Sequence, residues 1–232
     1  MRPPWEELEP ASRGAVERKR HAAYRVEQFG TTVFAVALAL PVIQLVTQAS
    51  SLMLPASSLA QALRAILPAF GACVAALLAL IACWFLYHIA FHYLTRSSGT
   101  LLLLHGILLP AALLIPFSAA LLDTLALYRQ AVLLFGGNII LLQLLLALIW
   151  RHAVKAGLLF GSDVPRRVVL RIRLMLGASV AALAIATTFA LLSPVVSVTL
   201  LAAILAAQMA LIARGGYRLD LYSTAARSTG EM

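Results

Sequence analysis

The sequence carries little charge. Asp, Glu, Lys and Arg together make up 12% of the 232 residues, whereas hydrophobic residues make up 62%. A soluble domain carries about 25% charged residues, so the composition excludes that class. The apolar residues occur in runs of about 18 or more, the length a helix needs to cross a membrane. No segment alternates at period two as a barrel strand does. The predicted fold class is therefore all-α, a polytopic helical membrane protein.

The sequence also lacks the signatures of enzymes and metal sites. Neither H-E-x-x-H nor G-x-S-x-G occurs, and after Glu27 the single carboxylate near a predicted span is Asp123. These absences predict no enzymatic activity, no cofactor, no bound metal and no carboxylate relay of a cation-coupled transporter. The only cysteines, Cys73 and Cys83, are about 15 Å apart along one helix, too far for a disulfide. They are interpreted as packing residues.

Six membrane spans are predicted, separated by segments rich in Ser, Gly, Pro or charge. They run over Phe29–Gln48, Ile66–Tyr93, Thr100–Leu122, Ala131–Trp150, Val168–Leu192 and Val195–Ala213. The side that holds both termini receives sixteen of the eighteen Lys and Arg residues, and the other side holds Arg64 and Arg129. The positive-inside rule therefore predicts cytoplasmic termini.

The predicted organisation follows from these spans. Residues 1–24 form a cytosolic N-terminal tail, residues 25–215 a six-helix transmembrane domain and residues 216–232 a cytosolic C-terminal tail. The bias of basic residues toward one side accounts for the net charge of +9, so no nucleic-acid partner is needed to explain it. The expected environment is the lipid bilayer.

Three ionisable residues are predicted to share one depth in the membrane. Counting helical rise, His88 and His105 lie about 8 Å inside the basic side, and Arg25 lies slightly shallower. Ionisable groups within spans are costly, so each is a functional candidate. Two interpretations stay open. The layer can be structural, joining the first three helices by hydrogen bonds, or it can sense protons, because histidine titrates near neutral pH.

Four stretches of the sequence resemble the transmembrane protein 175 family of potassium channels. The family begins its first span with R-x-x-x-F-S-D and continues G-V-F-A-I-A. The matching features here are Arg25, Phe29 and Val33-Phe34-Ala35, then CWFLYHIAFHY with His88, then LLLLHGILLPAALLIPF with His105 at the family asparagine, then Asn138 with Trp150-Arg151. Their order agrees with six spans, and together they cover about residues 20–215.

The resemblance implies a function. Bacterial members of this family are tetramers of six-helix subunits whose first helices line the pore, with bulky apolar side chains and a hydroxyl layer in place of a P-loop filter. The chain would then be a subunit of a homotetrameric, potassium-permeable channel in the bacterial plasma membrane, with monovalent cations as partners. Candidate residues for the supporting polar network are Arg25, Phe29, His88 and His105.

Helical spacing within the first span gives the candidate pore residues. Val36, Leu40 and Ile43 form a stripe at i, i+4 and i+7, which we interpret as the constriction, and Thr47 extends that stripe outward. Ordinary helix packing explains such a stripe equally well on an all-apolar helix.

The chain departs from the family pattern at several positions. Gly30-Thr31 replaces the Ser-Asp of the motif, and Glu27, on a different part of the turn, could replace the lost carboxylate only in part. Ala39 stands where the family has a threonine, Gln44 stands for a glutamate, and Pro41 is expected to kink the helix.

Because of these departures, two other functions stay open. One is a non-conducting structural or regulatory membrane protein on the same scaffold. The other is a proton or small-solute transporter with a site at His88 and His105.

Overall fold

The structure, a computed structural model, describes residues 10–53, 58–94, 97–124, 128–159 and 166–228. Within these ranges it contains six long α-helices and a short 3₁₀ turn, Phe189–Leu191, that extends the fifth helix. The helices are α1 (Pro10–Met53), α2 (Leu59–His92), α3 (Gly99–Thr124), α4 (Arg129–Lys155), α5 (Arg166–Thr188) and α6 (Pro194–Ser228). Each contains a stretch long and apolar enough to cross a membrane, so the prediction of six spans is confirmed.

The helices extend beyond the apolar runs that defined the predicted spans. α1 begins at Pro10 and α6 ends at Ser228, so both continue into the segments predicted as tails. The segment from Ser50 to Gln61, predicted to be a loop or a shallow interfacial turn between the first two spans, is helical up to Met53 and again from Leu59. Hydropathy missed these extensions because it measures the length that lipid covers, whereas backbone hydrogen bonding continues into water. α1 is continuous through Pro41.

The helices pack as two groups, one of α1 to α4 and the other of α2, α4, α5 and α6, so α2 and α4 belong to both groups. α1 lies against α2 and α3, α3 packs along α4, α4 along α5, and α6 contacts α5 and returns to α2. Most buried residues of α2 are small. They include Ala69, Ala72, Ala75, Ala76, Ala79, Ala82, Cys73 and Cys83. Small side chains let helix backbones approach closely, which is the main source of packing energy where lipid removes the hydrophobic driving force. Both cysteines are free thiols in this interface, as their spacing predicted.

A buried polar cluster joins the last three helices. Gln143 of α4 donates through Nε2 to Oε1 of Gln208 of α6 over 3.1 Å. The hydroxyl of Ser179 on α5 lies 2.9 Å from the same oxygen and also contacts Oε1 of Gln143. Gln143 is fully buried, so its amide has no water to bond. These bonds therefore hold α4, α5 and α6 in one register.

Candidate pore helix and its supporting junction

The first three helices meet at Gly30, where a tyrosine and a histidine fit against the bare backbone of α1. The Tyr87 hydroxyl of α2 lies 3.3 Å from the carbonyl oxygen of Val26, 3.1 Å from that of Glu27 and 3.2 Å from Nε2 of His105 on α3. Both groups are satisfied when Tyr87 donates to the Glu27 carbonyl and accepts from the His105 ring. The contact couples α1, α2 and α3 at a single point.

Gly30 is required by the closeness of this approach. A Cβ built at Gly30 would collide with the Tyr87 hydroxyl, would lie 2.6 Å from Cζ of that ring and 2.8 Å from Nε2 of His105. The Tyr87 ring is fully buried and stacks on Phe91, with ring centroids 4.3 Å apart, so it has little freedom to move away. The glycine that stands in place of the family serine therefore makes room for the tyrosine.

A second contact joins α1 to α2 on the adjacent side of the helix. Oε1 of Glu27 lies 3.2 Å from Nδ1 of His88. The His88 ring stacks on Trp84, one turn away, with centroids 5.8 Å apart. The His88 side chain is 53% exposed and that of Glu27 18% exposed in the single chain. Glu27 thus places a carboxylate near the start of the apolar span of α1, where the motif aspartate is missing.

Four residues were predicted for this network, and only the two histidines take part in the contacts between α1 and its neighbours. His105 is buried against Tyr87, and His88 pairs with Glu27. Arg25 and Phe29 lie on the other side of α1, where both are exposed, Phe29 by 60%. The hydrogen bonds and ion pairs of the described residues include none between Arg25 and either histidine. The first three helices thus meet at the depth predicted for the polar network. The α1 residues that take part are Glu27 and Gly30 instead of Arg25 and Phe29.

Sequence reasoning missed Tyr87 and Gly30 for a physical reason. Depth along a helix can be counted from residue numbers, but the side of the helix that faces a neighbour depends on how the helices rotate. One signal was available, because a glycine inside an apolar helix is costly and marks close approach of another group.

α1 is the least covered of the six spans. In its most apolar window 22% of the residues are buried, compared with 56% for α4. Its buried face consists of Gly30, Phe34, Ala37 and Pro41, which repeat at helical spacing. The opposite side, here called the open face of α1, runs the length of the span. Its exposed residues are Arg25, Gln28, Phe29, Thr32, Ala35, Val36, Ala39, Val42, Ile43, Val46, Thr47 and Ser50.

Three of the four predicted pore residues belong to the open face. Val36 is 53% exposed and Ile43 58% exposed. Thr47 is exposed one turn beyond Ile43, whereas Leu40 is half-buried at the edge of the face. The open face centres on Thr32, Ala39 and Ile43, so Ile43 lies near its centre while the rest of the predicted stripe lies along one flank.

The open face carries hydroxyl groups whose protons are already used within the helix. Thr32 donates to the Gln28 carbonyl over 3.0 Å, and Thr47 donates to that of Ile43 over 2.9 Å. In both, the hydroxyl oxygen keeps lone pairs that no helix group uses. Such oxygens are suited to accept a hydrogen bond from water or to coordinate a cation. The sequence had drawn attention to Thr47 and to the hydroxyl lost at Ala39, so Thr32 is an addition from the structure.

The first half of the chain matches a known family of channels. Residues 25–116 match the sequence profile described as "Endosomal/lysosomal potassium channel TMEM175". Over those residues the chain is similar to the TMEM175 family. The matched region contains the open face of α1 and the whole Gly30 junction. TMEM175 is a family of ion channels rather than of enzymes, as the missing catalytic motifs predicted.

The structural similarity to a TMEM175 homolog covers more of the chain than the sequence match does. The fold is similar to that of a lysosomal potassium-selective channel TMEM175 homolog from Chamaesiphon minutus, with a TM-score of 0.70 and 19% sequence identity. The similarity covers 83% of this chain and 98% of that chain. Among curated proteins, none matches the chain. The all-α membrane fold and the TMEM175 resemblance are therefore confirmed.

Proposed function

We propose that the chain is a subunit of a homotetrameric, potassium-permeable channel whose pore is lined by the open face of α1. The observation that carries this proposal is the exposure of that face in a chain whose residues 25–116 match the TMEM175 family profile. α1 packs against α2 and α3 on one side only, so the other side is free to meet further copies or a pore. Four copies whose α1 helices meet at a central axis would complete the ion pathway.

The side chains of the open face support a pore gated by apolar rings. Val36 and Ile43 supply four apolar groups each in a tetramer, and Leu40 packs at the edge between them. A narrow apolar ring resists water and thereby opposes ion passage until it widens. Thr32 and Thr47 place hydroxyl oxygens on either side of these rings, where a partly dehydrated cation needs ligands.

The distribution of basic residues supports an orientation for the subunit. The end of the bundle with His88, the start of α3 and the ends of α4 and α6 receives most of the Lys and Arg residues. We infer that this end faces the cytoplasm and that the membrane is the bacterial plasma membrane. Glu27 and Arg25 would then lie at the cytoplasmic mouth of the pore.

Accessibility of introduced thiols tests this proposal. Val36→Cys or Ile43→Cys should react with a small, charged methanethiosulfonate reagent that cannot partition into lipid, and the reaction should reduce potassium flux in liposomes. Leu174→Cys is the matched control, because Leu174 on α5 is as exposed as Ile43 but faces away from α1 contacts. The native Cys73 and Cys83 are buried and should stay unmodified.

The thiol result separates the pore from the alternatives. Equal reaction at Leu174→Cys and Ile43→Cys would remove the argument for a water-filled path along α1. If folded oligomers carry no flux of any ion, the non-conducting scaffold function replaces the channel. Saturable, pH-dependent uptake that depends on His88 and His105 would instead support a transporter.

A further inference from the structure

A patch of positively charged side chains lies where α4 ends and α5 begins. This basic patch consists of Arg151 and Lys155 of α4 with Arg166, Arg167, Arg171 and Arg173 of α5, and every one of these side chains is exposed. Neither helix contains an Asp or a Glu. In the described part of the chain, none of the six forms an ion pair, whereas Glu27 and His88 do. No carboxylate among the described residues pairs with this charge.

The fold brings the two parts of the basic patch together. α4 and α5 pack along each other in opposite directions, so the C-terminal end of α4 meets the N-terminal end of α5. The same end is fixed by contacts between loops. The Leu94 and Leu159 backbones form an antiparallel bridge, and the Ser98 hydroxyl lies 2.9 Å from Nε2 of His152. The patch is thus a feature of the folded bundle.

The apolar neighbours of the patch indicate what kind of anion it binds. Leu170 is 53% exposed and Leu174 60% exposed, and they lie on either side of the Arg171–Arg173 segment. Arg171 and Arg173 lie about 8 to 10 Å along α5 from its first residue, a distance that long side chains cover by extending toward the membrane surface. At this position the leucines can contact acyl chains while the arginines extend to the membrane surface. This combination is complementary to an amphiphilic molecule with an anionic headgroup.

We propose that the basic patch is a binding surface for anionic phospholipid, with the guanidinium groups of Arg171 and Arg173 on the phosphates of neighbouring lipids and the exposed leucines of α5 against the acyl chains. Arginine binds phosphate through two parallel hydrogen bonds and loses little of its charge to hydration, which suits it to this boundary. The proposal concerns α5 and does not depend on ion conduction.

Lipid retention by the purified full-length protein tests the proposal. Protein in detergent is mixed with phosphatidylglycerol or phosphatidylcholine of matched chains, and the lipids retained per subunit are counted by native mass spectrometry. We expect preferential retention of phosphatidylglycerol, reduced about tenfold or more in affinity by Arg171→Gln with Arg173→Gln. The control Arg129→Gln removes a charge at the opposite end of α4, where Arg129 is also exposed, and should retain the lipid as the parent does.

The controls make every outcome informative. An Arg171→Lys, Arg173→Lys variant that restores most of the retention shows that the charge binds the lipid, and unchanged elution on size exclusion shows that the fold is kept. Equal retention of the two lipids, or an equal loss in Arg129→Gln, would overturn the proposal. So would binding of a short oligonucleotide or an acidic peptide that competes fully with phosphatidylglycerol, because the partner would then be a soluble polyanion.

Discussion

Replacing Gly30 by alanine should disrupt the junction of α1, α2 and α3. The added Cβ would lie 2.6 Å from Cζ of Tyr87 and 2.8 Å from Nε2 of His105, closer than side-chain carbons approach other atoms. Overpacking of this kind costs about 1 to 3 kcal/mol. Displacing Tyr87 from its hydrogen bonds costs about 1 kcal/mol more. Alanine returns about 1 kcal/mol through its higher helix propensity, so the net loss of stability is about 1 to 3 kcal/mol.

The structure offers a matched control one residue beyond His105. Gly106 of α3 has no atom within 4 Å of an added Cβ, so Gly106→Ala should be neutral or slightly stabilising. The measurement is the apparent thermal midpoint of the purified protein in detergent. For a chain of this size, about 1 kcal/mol corresponds to about 2 to 4 °C. We therefore expect a decrease of about 2 to 12 °C for Gly30→Ala and no decrease for Gly106→Ala.

A double-mutant cycle identifies the cause of that decrease. Because Tyr87 supplies the colliding atoms, the combination Gly30→Ala with Tyr87→Ala should cost less than the sum of the two single changes. Strict additivity would show that the loss arises elsewhere in α1. A midpoint unchanged by Gly30→Ala alone would refute the close contact on which the junction depends.

Two further predictions concern the second half of the bundle. Gly136→Ala should lower the thermal midpoint, because its Cβ would lie 2.7 Å from Cγ2 of Thr187, whereas the adjacent Gly137→Ala has open space and should not; equal effects would contradict the packing of α4 on α5. Ser179→Ala should lower stability by about 0.5 to 2 kcal/mol, measured in the same way, because it removes a donor to buried Gln208; no change would show that the polar cluster contributes little.

The sequence predicted the membrane fold well because hydropathy and span length are properties of each segment alone. The six spans, the buried free Cys73 and Cys83 and the family resemblance all follow from such local patterns. The ends of the helices did not follow, because α1 and α6 continue beyond the part that lipid covers.

The side chains of the candidate site were harder to predict, because they depend on helix rotation. Residue counting brought His88 and His105 to the depth of α1, but it could not show that Glu27 faces His88 while Arg25 faces outward. Those two α1 residues differ by two positions, or about 200° around the helix. Leu40 shows the same effect on a smaller scale, since it lies at the edge of the open face between exposed Val36 and Ile43.

Potassium flux through the purified protein in liposomes tests the central proposal most directly. We expect a potassium gradient to drive flux that increases when Ile43→Ala widens the apolar ring, with Leu174→Ala as the control that leaves flux unchanged. Sodium and proton gradients measured in the same vesicles give the ion preference. The absence of any ion flux from folded, oligomeric protein, or equal flux changes in both variants, would contradict a pore lined by α1.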